Sequence, residues 1–140
     1  MRTVTIAVAS EEEVRAIALW RRLREFNYGI VGKYPEGRSV WLNAKDNAGN
    51  VLGGFRGEVY FNWLFVNILF VEDSQRRQGI GTRLLAEGEA HATTLGARRA
   101  RLETFDWQAP AFYAMHGYRE LIKLPGYYLD HSLSLMLKEL

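Results

Sequence analysis

Apolar and polar positions recur along the chain with two different periods, and both periods appear in its first quarter. Residues 3–8 (TVTIAV) alternate as a strand does. Ser10 followed by Glu13 forms the capping box of a helix that we expect to run to about Phe26. The stretch from Asn27 to Arg38 then contains three glycines, one proline and two tyrosines. This composition predicts a loop rich in aromatic side chains.

The middle of the chain predicts a three-stranded meander followed by a helix. Residues 39–46 (SVWLNAKD) and 51–61 (VLGGFRGEVYF) have strand patterns, and the turn NAGN joins them as a hairpin. A third strand is expected from about Trp63 to Val71, and a helix from Thr82 to about Leu95. Gly96 is a natural stop for that helix, because glycine is the residue that most often follows a helix end.

The last third of the chain predicts one strand, a short helix and a final pair of strands. Residues 97–105 (ARRARLETF) alternate as a strand. Pro110 and Gly117 bound a short helix, because proline suits the first helical position and glycine the C-terminal cap. Two more strands are expected at residues 118–122 and 132–137, separated by the turn-rich segment KLPGYYLDH.

The order of these elements predicts one mixed α/β domain over residues 1–140, with a central sheet of about six to seven strands and flanking helices. The chain has no cysteine, which excludes a disulfide framework, a thiolate metal site and a cysteine nucleophile. Its three histidines are scattered and do not have the spacing of metal ligands. We therefore expect no metal.

Charge and hydropathy favour a cytoplasmic enzyme or binding module. The formal net charge of +2 is too small to require nucleic acid as a partner, although six arginines lie between Arg76 and Arg101. That local charge favours a modest anionic ligand. The first 13 residues reach three glutamates before any long apolar run, so they do not read as a signal peptide. The longest apolar run, residues 59–71, contains two asparagines and is too short to cross a membrane.

Residues 76–85 (RRQGIGTRLL) place a glycine-rich turn between a strand and a helix. Backbone N–H groups at a helix N-terminus lack partners within the helix, and the dipole there favours an anion such as phosphate. Gly79 and Gly81 would let the backbone approach that anion closely. The turn is neither a dinucleotide fingerprint, because position 84 is leucine, nor a P-loop, because Thr82 stands where lysine is required.

Two segments match, in order and spacing, motifs that occur together in one protein superfamily. RRQGIG, preceded by a hydrophobic strand and followed by TRLL, resembles the motif [Q/R]xxGxG/A. About 25 residues further on, APAFYAMHGY resembles the segment AxxLYxxxGF. Both are motifs of the GNAT superfamily of N-acetyltransferases, and the predicted element order is similar to its acyl-CoA N-acyltransferase fold. The resemblance implies an enzyme in which an amine attacks acetyl-CoA directly within a ternary complex.

The resemblance also implies which residues would hold acetyl-CoA. The glycine turn would bind the pyrophosphate, chiefly through main-chain N–H groups, and comprises Arg76, Arg77, Gln78, Gly79, Ile80, Gly81 and Thr82. The end of the preceding strand, Leu69, Phe70 and Val71, would pair with the pantetheine arm, and a backbone N–H there would polarise the thioester carbonyl. Asp106 stands where many members have an asparagine that touches the cofactor.

Proton transfer needs an acid and a base. Tyr113 matches the tyrosine that serves many members as general acid toward the departing thiolate. A base is needed because an alkyl ammonium, with a pKa of about 10.4, is almost wholly charged at neutral pH. Glu103 is the first candidate, since LET resembles the LE segment of members that acetylate protein N-termini. Glu72, Asp106 and a water chain without a dedicated base are the alternatives.

The acceptor is a small-molecule amine or a protein amine, and the sequence does not decide between them. In the superfamily the first helix with its loop and the final strand pair flank the amine site, which implies an acceptor pocket formed by Tyr28, Tyr34, Tyr127 and Tyr128. An exposed final strand pair would favour a homodimer, and neither nucleic acid nor a membrane is expected as a partner. The alternative function is a non-catalytic acyl-CoA-binding sensor or interaction module on the same fold.

Overall fold

The computed structural model describes residues 2–140, and within that range it contains four α-helices and six β-strands. The helices are α1 (Glu11–Ile17), α2 (Leu19–Val31), α3 (Ile80–Thr94) and α4 (Pro110–Met115). The strands are β1 (Arg38–Lys45), β2 (Val51–Tyr60), β3 (Trp63–Val71), β4 (Arg99–Phe105), β5 (Arg119–Tyr128) and β6 (His131–Glu139). The chain divides after Pro35 into a small N-terminal unit and a larger one. No helix in residues 2–140 is long and apolar enough to cross a membrane.

The strands form one mixed sheet in the order β1-β2-β3-β4-β6-β5, which confirms the predicted fold class. Strands β1, β2 and β3 are an antiparallel meander, and β6 pairs antiparallel with both β4 and β5. Only β3 and β4 are parallel. Helix α3 connects these two strands, because parallel neighbours need a crossover rather than a tight turn.

Helix α3 covers one face of the sheet and packs closely on β2. Its buried residues are Leu84, Leu85, Gly88 and Ala92. A Cβ atom at position 88 would lie 2.7 Å from the ring of Phe55, which is fully buried. Since real side chains do not approach that closely, glycine is what allows the helix to sit directly on this ring. Further core residues are Val40, Val59, Leu64, Leu102 and Met136.

The first predicted helix is present, but it is two helices. Ser10 caps α1 as predicted, because its Oγ accepts a hydrogen bond from the Glu13 N–H at 3.1 Å. The helix breaks at Ala18, which adopts the left-handed conformation with φ 48°. Helix α2 then continues through Asn27 to Val31, a stretch for which the sequence predicts a loop. Alanine is a good helix former and does not indicate the break. The loop prediction for residues 27–38 rests on their combined glycine, proline and tyrosine content, but a single glycine such as Gly29 is tolerated inside a helix.

Residues 3–8 do not form the predicted strand. They belong to no ladder, and the side chains of Val4, Ile6 and Val8 are 75%, 94% and 99% exposed. Alternation defines which face of a strand is apolar, but a strand forms only when its backbone groups find a partner. Among the described residues no strand supplies that partner, since the sheet ends at β1 and β5. The sheet consequently has the lower of the two predicted strand numbers.

The final strands are longer than predicted. Residues 123–128, for which the sequence predicts a turn-rich segment, continue β5, and the turn is confined to Leu129 and Asp130. Pro125 is tolerated because β5 is an edge strand, where a missing N–H faces no neighbour. The register of β5 against β6 is irregular between Leu124 and Tyr128, around this proline.

Glu89 of α3 accepts two hydrogen bonds from the C-terminal part of the chain. Its Oε2 accepts from the Tyr118 hydroxyl at 2.7 Å, and its Oε1 from Lys138 Nζ at 2.8 Å. The side chains of Glu89 and Lys138 are only 13% and 25% exposed. Burial, together with this carboxylate, raises the pKa of the Tyr118 hydroxyl. The contact joins α3 to β6 and to the residue before β5.

We expect Glu89→Ala to lower the free energy of unfolding by about 2 kcal/mol, because it leaves Lys138 and Tyr118 without their partner in a mostly buried place. Urea denaturation measures the loss. Glu87→Ala is the matched control, since Glu87 is exposed on the same helix, and it should change stability by less than about 0.5 kcal/mol. Equal losses in both variants would show that the Glu89 contact adds no stability.

Candidate active site

The two parallel strands in the middle of the sheet are paired over only part of their length. Strands β3 and β4 are in register at four positions, of which the last joins Val66 to Leu102. Beyond it each strand keeps only its outer neighbour, β2 or β6, to its end. The facing edges of residues 67–71 and 103–105 therefore have no strand partner. The sheet has an open gap at the carboxyl ends of these strands.

Strand β3 is irregular where the gap begins. Arg56 is opposite Ile68 and Gly57 is opposite Val66, so Asn67 is an extra residue in the ladder with β2. Such a bulge bends a strand and redirects its backbone groups, and bulges are common beside active sites. The bulge lies on the first β3 residue beyond the last pair with β4.

The connection from β3 to α3 contains two residues with positive φ. A single 3₁₀ turn spans Asp73–Gln75, and Arg77 and Gly79 then have φ values of 66° and 78°. Glycine adopts this conformation freely, whereas a residue with a Cβ atom does so at a cost of roughly 1 kcal/mol. Gly79 is also the N-cap residue of α3, and no side chain caps the helix there.

Six consecutive backbone N–H groups, from Arg77 to Thr82, have no hydrogen-bond acceptor within residues 2–140. The next one, that of Arg83, donates to the Gly79 carbonyl at 3.0 Å. The dipole of α3 adds positive potential at the same place. Free donors at a helix N-terminus bind phosphate oxygens. The turn predicted from the two glycines is therefore present, and its donors are free.

Arg76 braces the turn against the end of β3. Its Nε donates to the Val71 carbonyl at 3.0 Å, and its Nη1 lies 3.3 Å from a carboxylate oxygen of Asp73. Its guanidinium is 5.7 Å from the centre of the Phe70 ring. The side chain is thus already engaged, in contrast to the free backbone donors that follow it.

Helix α4 lies against the same turn. A Cβ atom at Gly81 would be 3.5 Å from the Phe112 ring and 3.7 Å from the Val71 side chain, so the end of β3, the start of α3 and α4 meet here. His116 Nε2 is 3.1 Å from Thr82 Oγ1. Phe112 and His116 were not predicted as site residues. Their spacing of four on one helix face was the signal that could have indicated this contact.

Tyr113 of α4 is only 8% exposed, and its ring lies edge-on to those of Phe112 and Tyr118, with centroids 5.3 and 5.7 Å away. Its hydroxyl has no hydrogen-bond partner within residues 2–140. Only one side-chain N or O atom in that range is both inaccessible to solvent and without a partner, and that atom is Arg38 Nε. The unpartnered Tyr113 hydroxyl must therefore be accessible to solvent. Burial raises the pKa of Tyr113, which keeps the phenol protonated at neutral pH.

Burial alternates along β4: Leu102 and Thr104 face the core, to which α3 also contributes, and Glu103 between them is exposed on the opposite face. It is the first residue of β4 beyond the last pair with β3. Arg101 on the same face lies over the Phe65 ring at 4.6 Å. Within the described residues Glu103 has no ion-pair partner.

Asp106 follows β4, and both of its carboxylate oxygens are engaged at the start of β6. Oδ2 accepts from the Ser132 N–H at 3.0 Å, and Oδ1 lies 2.8 Å from His131 Nδ1. The Ser132 backbone hydrogen bond and then the His131 contact hold the pKa of this carboxyl below its usual value. A contact between Asp106 and the cofactor stays a prediction.

The four tyrosines predicted for the acceptor pocket fall into two pairs. Tyr28 and Tyr34, in the N-terminal unit, lie edge-on at 4.8 Å, and Asn27 Nδ2 donates to the Tyr34 hydroxyl at 3.2 Å. Tyr127 and Tyr128, at the end of β5, are 54% and 61% exposed. Their role toward an acceptor stays a prediction.

An open gap between parallel strands, beside a free helix N-terminus, can receive a ligand that combines a phosphate group with an extended arm. The chain belongs to the acetyltransferase (GNAT) family, whose family model matches residues 4–118. It is similar to blasticidin-S acetyltransferase from Streptomyces morookaense, with 40% identity over 93 residues that cover 66% of this chain and 68% of that protein. The protein is an acetyltransferase.

Solved structures agree with this assignment. The crystal structure of an acetyltransferase from Bacillus cereus is 32% identical and superposes with a TM-score of 0.88 over 98% of each chain. A GNAT family acetyltransferase from Elizabethkingia anophelis, solved with acetyl-CoA bound, has a TM-score of 0.63 over 73% of this chain and 76% of that one. At 17% identity the second structure shows that the fold is shared.

We expect Gly79→Ala to weaken coenzyme A binding at least tenfold, because a Cβ atom disfavours the positive φ that presents the free N–H groups. Gly49→Ala is the matched control, since Gly49 has φ 85° in the β1–β2 turn with open space around it. Both variants should lose roughly 1 kcal/mol of stability. Calorimetric titration with coenzyme A separates them, and equal dissociation constants would contradict a role for the Gly79 turn.

Proposed function

We propose that this acetyltransferase moves the acetyl group of acetyl-CoA to the primary amine of a small molecule, by direct attack of the amine within a ternary complex. The observation that supports the proposal best is the run of six free N–H donors from Arg77 to Thr82, next to the unpaired edge of β3. A phosphate-bearing ligand with an extended arm needs both features side by side. The chain has no cysteine, so an acetyl-cysteine intermediate is excluded.

Acetyl-CoA is the acetyl donor, and the residues present fit it. The turn that would hold its pyrophosphate consists of Arg76, Arg77, Gln78, Gly79, Ile80, Gly81 and Thr82. The edge of β3 at Leu69, Phe70 and Val71 would hydrogen-bond the pantetheine amides as an added strand does. When bound, the thioester supplies an activated acetyl group and a thiolate leaving group.

Tyr113 acts in this proposal as the general acid. Its hydroxyl is protonated, has no partner within residues 2–140, and belongs to the helix that touches the glycine turn through Phe112. A hydroxyl with these properties can donate to a developing thiolate, whose unperturbed pKa is about 8.5.

Glu103 is the base that we propose first. It lies at the closed end of the gap, is exposed, and has no cation paired with it in the described part of the chain. A free carboxylate in that place can accept the ammonium proton directly or through water. Glu72, Asp106 and a water chain remain the alternatives, although both oxygens of Asp106 are already engaged.

A small-molecule acceptor is supported by the relative named blasticidin-S acetyltransferase. We propose that Tyr28, Tyr34, Tyr127 and Tyr128 contribute to its pocket.

The chain acts as one N-acetyltransferase domain, a proposal supported by the family match, which runs across the boundary after Pro35. We further propose a cytoplasmic homodimer. The support for the dimer is the edge strand β5, on which Leu121 and Ile122 are 56% and 50% exposed.

Tyr113→Phe should lower kcat by one or more orders of magnitude, the scale of general acid catalysis, and leave coenzyme A affinity unchanged. Tyr118→Phe is the control, because it removes the hydroxyl of a neighbouring buried tyrosine that bonds Glu89 rather than facing the site. That variant should lose stability and keep kcat. Steady-state rates of coenzyme A release measure kcat in both variants. Full kcat in Tyr113→Phe would contradict the role as general acid and favour a packing role for the ring.

Glu103→Gln should lower kcat/KM about tenfold or more near neutral pH, and its activity should recover as pH rises. The reason is that an alkyl amine becomes neutral in solution as its pKa of about 10.4 is approached, so the enzyme's own base matters less. Glu72→Gln and Asp106→Asn are measured beside it. The variant with this pH-dependent recovery identifies the base, and three unaffected profiles would favour a water chain.

A further inference from the structure

Four ring side chains meet beyond the end of β4 and form what we term the aromatic cluster: Phe105, Trp107, Tyr127 and His131. The rings of Phe105 and Trp107 are stacked, with centroids 4.3 Å apart and planes within 6°. Tyr127 lies edge-on to Phe105 at 5.5 Å, and His131 lies edge-on to Trp107 at 4.8 Å. The cluster therefore joins the ends of β4 and β5 to the start of β6.

Hydrogen bonds hold the cluster in place. Asp106, between the two stacked rings in sequence, exchanges backbone and side-chain hydrogen bonds with Ser132 at 3.1 and 3.0 Å. Its other oxygen holds His131 Nδ1 at 2.8 Å. Gln108 Oε1 accepts from the Phe105 N–H at 2.8 Å, which closes the loop that bears Trp107. A ligand would meet rings that are already ordered, so little conformational entropy would be lost on binding.

The cluster is ordered without being buried. Trp107 is 51% exposed although one face of its indole is covered by Phe105, and Tyr127 is 54% exposed. If these rings only stabilised the fold, burying their remaining apolar surface would lower the free energy further. An ordered ring that stays exposed instead offers a surface on which another ring can stack.

The position of the cluster relates it to the proposed chemistry. Phe105 lies two residues after Glu103 on the same face of β4, a distance of roughly 7 Å along a strand. The cluster, through Phe105, therefore adjoins the face of β4 that bears the proposed base.

We propose that the aromatic cluster binds a planar aromatic group of the acceptor and thereby presents the acceptor amine toward Glu103. Stacking on the exposed surface of Trp107 selects flat rings over puckered ones of the same size. The inference rests on the proposed function, because it assigns a substrate class to the same site.

The test compares two primary amines, 2-phenylethylamine and 2-cyclohexylethylamine, which share a chain length and differ in ring planarity. The wild type should prefer the planar amine roughly five- to tenfold in kcat/KM, the range expected from aromatic stacking. Trp107→Leu should abolish this preference, because it lowers kcat/KM for the planar amine more than for the cyclohexyl amine. Trp107→Phe should restore part of it. Trp41→Leu, which removes a tryptophan that is 71% exposed on β1, should retain all of it.

Calorimetric binding of 2-phenylethylamine in the presence of coenzyme A gives a readout that does not depend on turnover. Binding that is lost in Trp107→Leu and kept in Trp41→Leu supports the cluster even if neither amine is acetylated, and that absence of acetylation would count against the proposed function alone. An unchanged preference or unchanged binding in a folded Trp107→Leu overturns the inference, as does a wild type that acetylates both amines at equal kcat/KM. Circular dichroism establishes that each variant is folded.

Discussion

The site depends on where the parallel pairing of β3 and β4 stops. A parallel ladder that continued to Val71 would occupy the backbone groups that now face the gap, and no edge would remain for an extended ligand. Each strand can leave the other without unravelling because β2 and β6 still hold its outer edge. The gap is therefore stable in the absence of ligand, and both ends of the proposed chemistry, Glu103 and the donors before Arg83, are arranged around it.

The core packing of α3 sets the place of the free donors. Gly88 brings the helix onto Phe55, and Glu89 ties it to Lys138 and Tyr118. These contacts lie two or more turns from the N-terminus, yet a helix is stiff enough to transmit them. Packing of the buried face of α3 stabilises the helix and fixes the position of its N-terminus. The six N–H groups can therefore stay unpaired without contacts of their own.

Features of the fold that are determined by residues close together in the chain could be predicted from the sequence. The Ser10 cap, the meander and the Gly79 turn belong to this group, since each follows from a spacing of two to four positions. The predictions of a strand at residues 3–8 and of a short β5 were wrong, because a strand forms only with a partner that lies elsewhere in the chain. The apolar pattern of β3 does not mark the gap, since it continues to Val71 while its pairing with β4 ends at Val66, so only the family resemblance implies a split there. The roles of Phe112 and Trp107 were not predicted for the same reason, because their contacts with Gly81 and His131 join segments that are distant in sequence.

Strand β6 lies between β4 and β5, although it follows both in the chain. During synthesis β5 emerges when its eventual neighbour does not yet exist, and β4 has no outer partner either. Residues 131–139 must insert between the two before the sheet closes, a pairing of high contact order that slows folding. Until that insertion, the edge of β4 is open to other strands, and Asp106 has no Ser132 to orient it. The strand that fills the gap between β4 and β5 thus also ends the exposure of the β4 edge to misassembly.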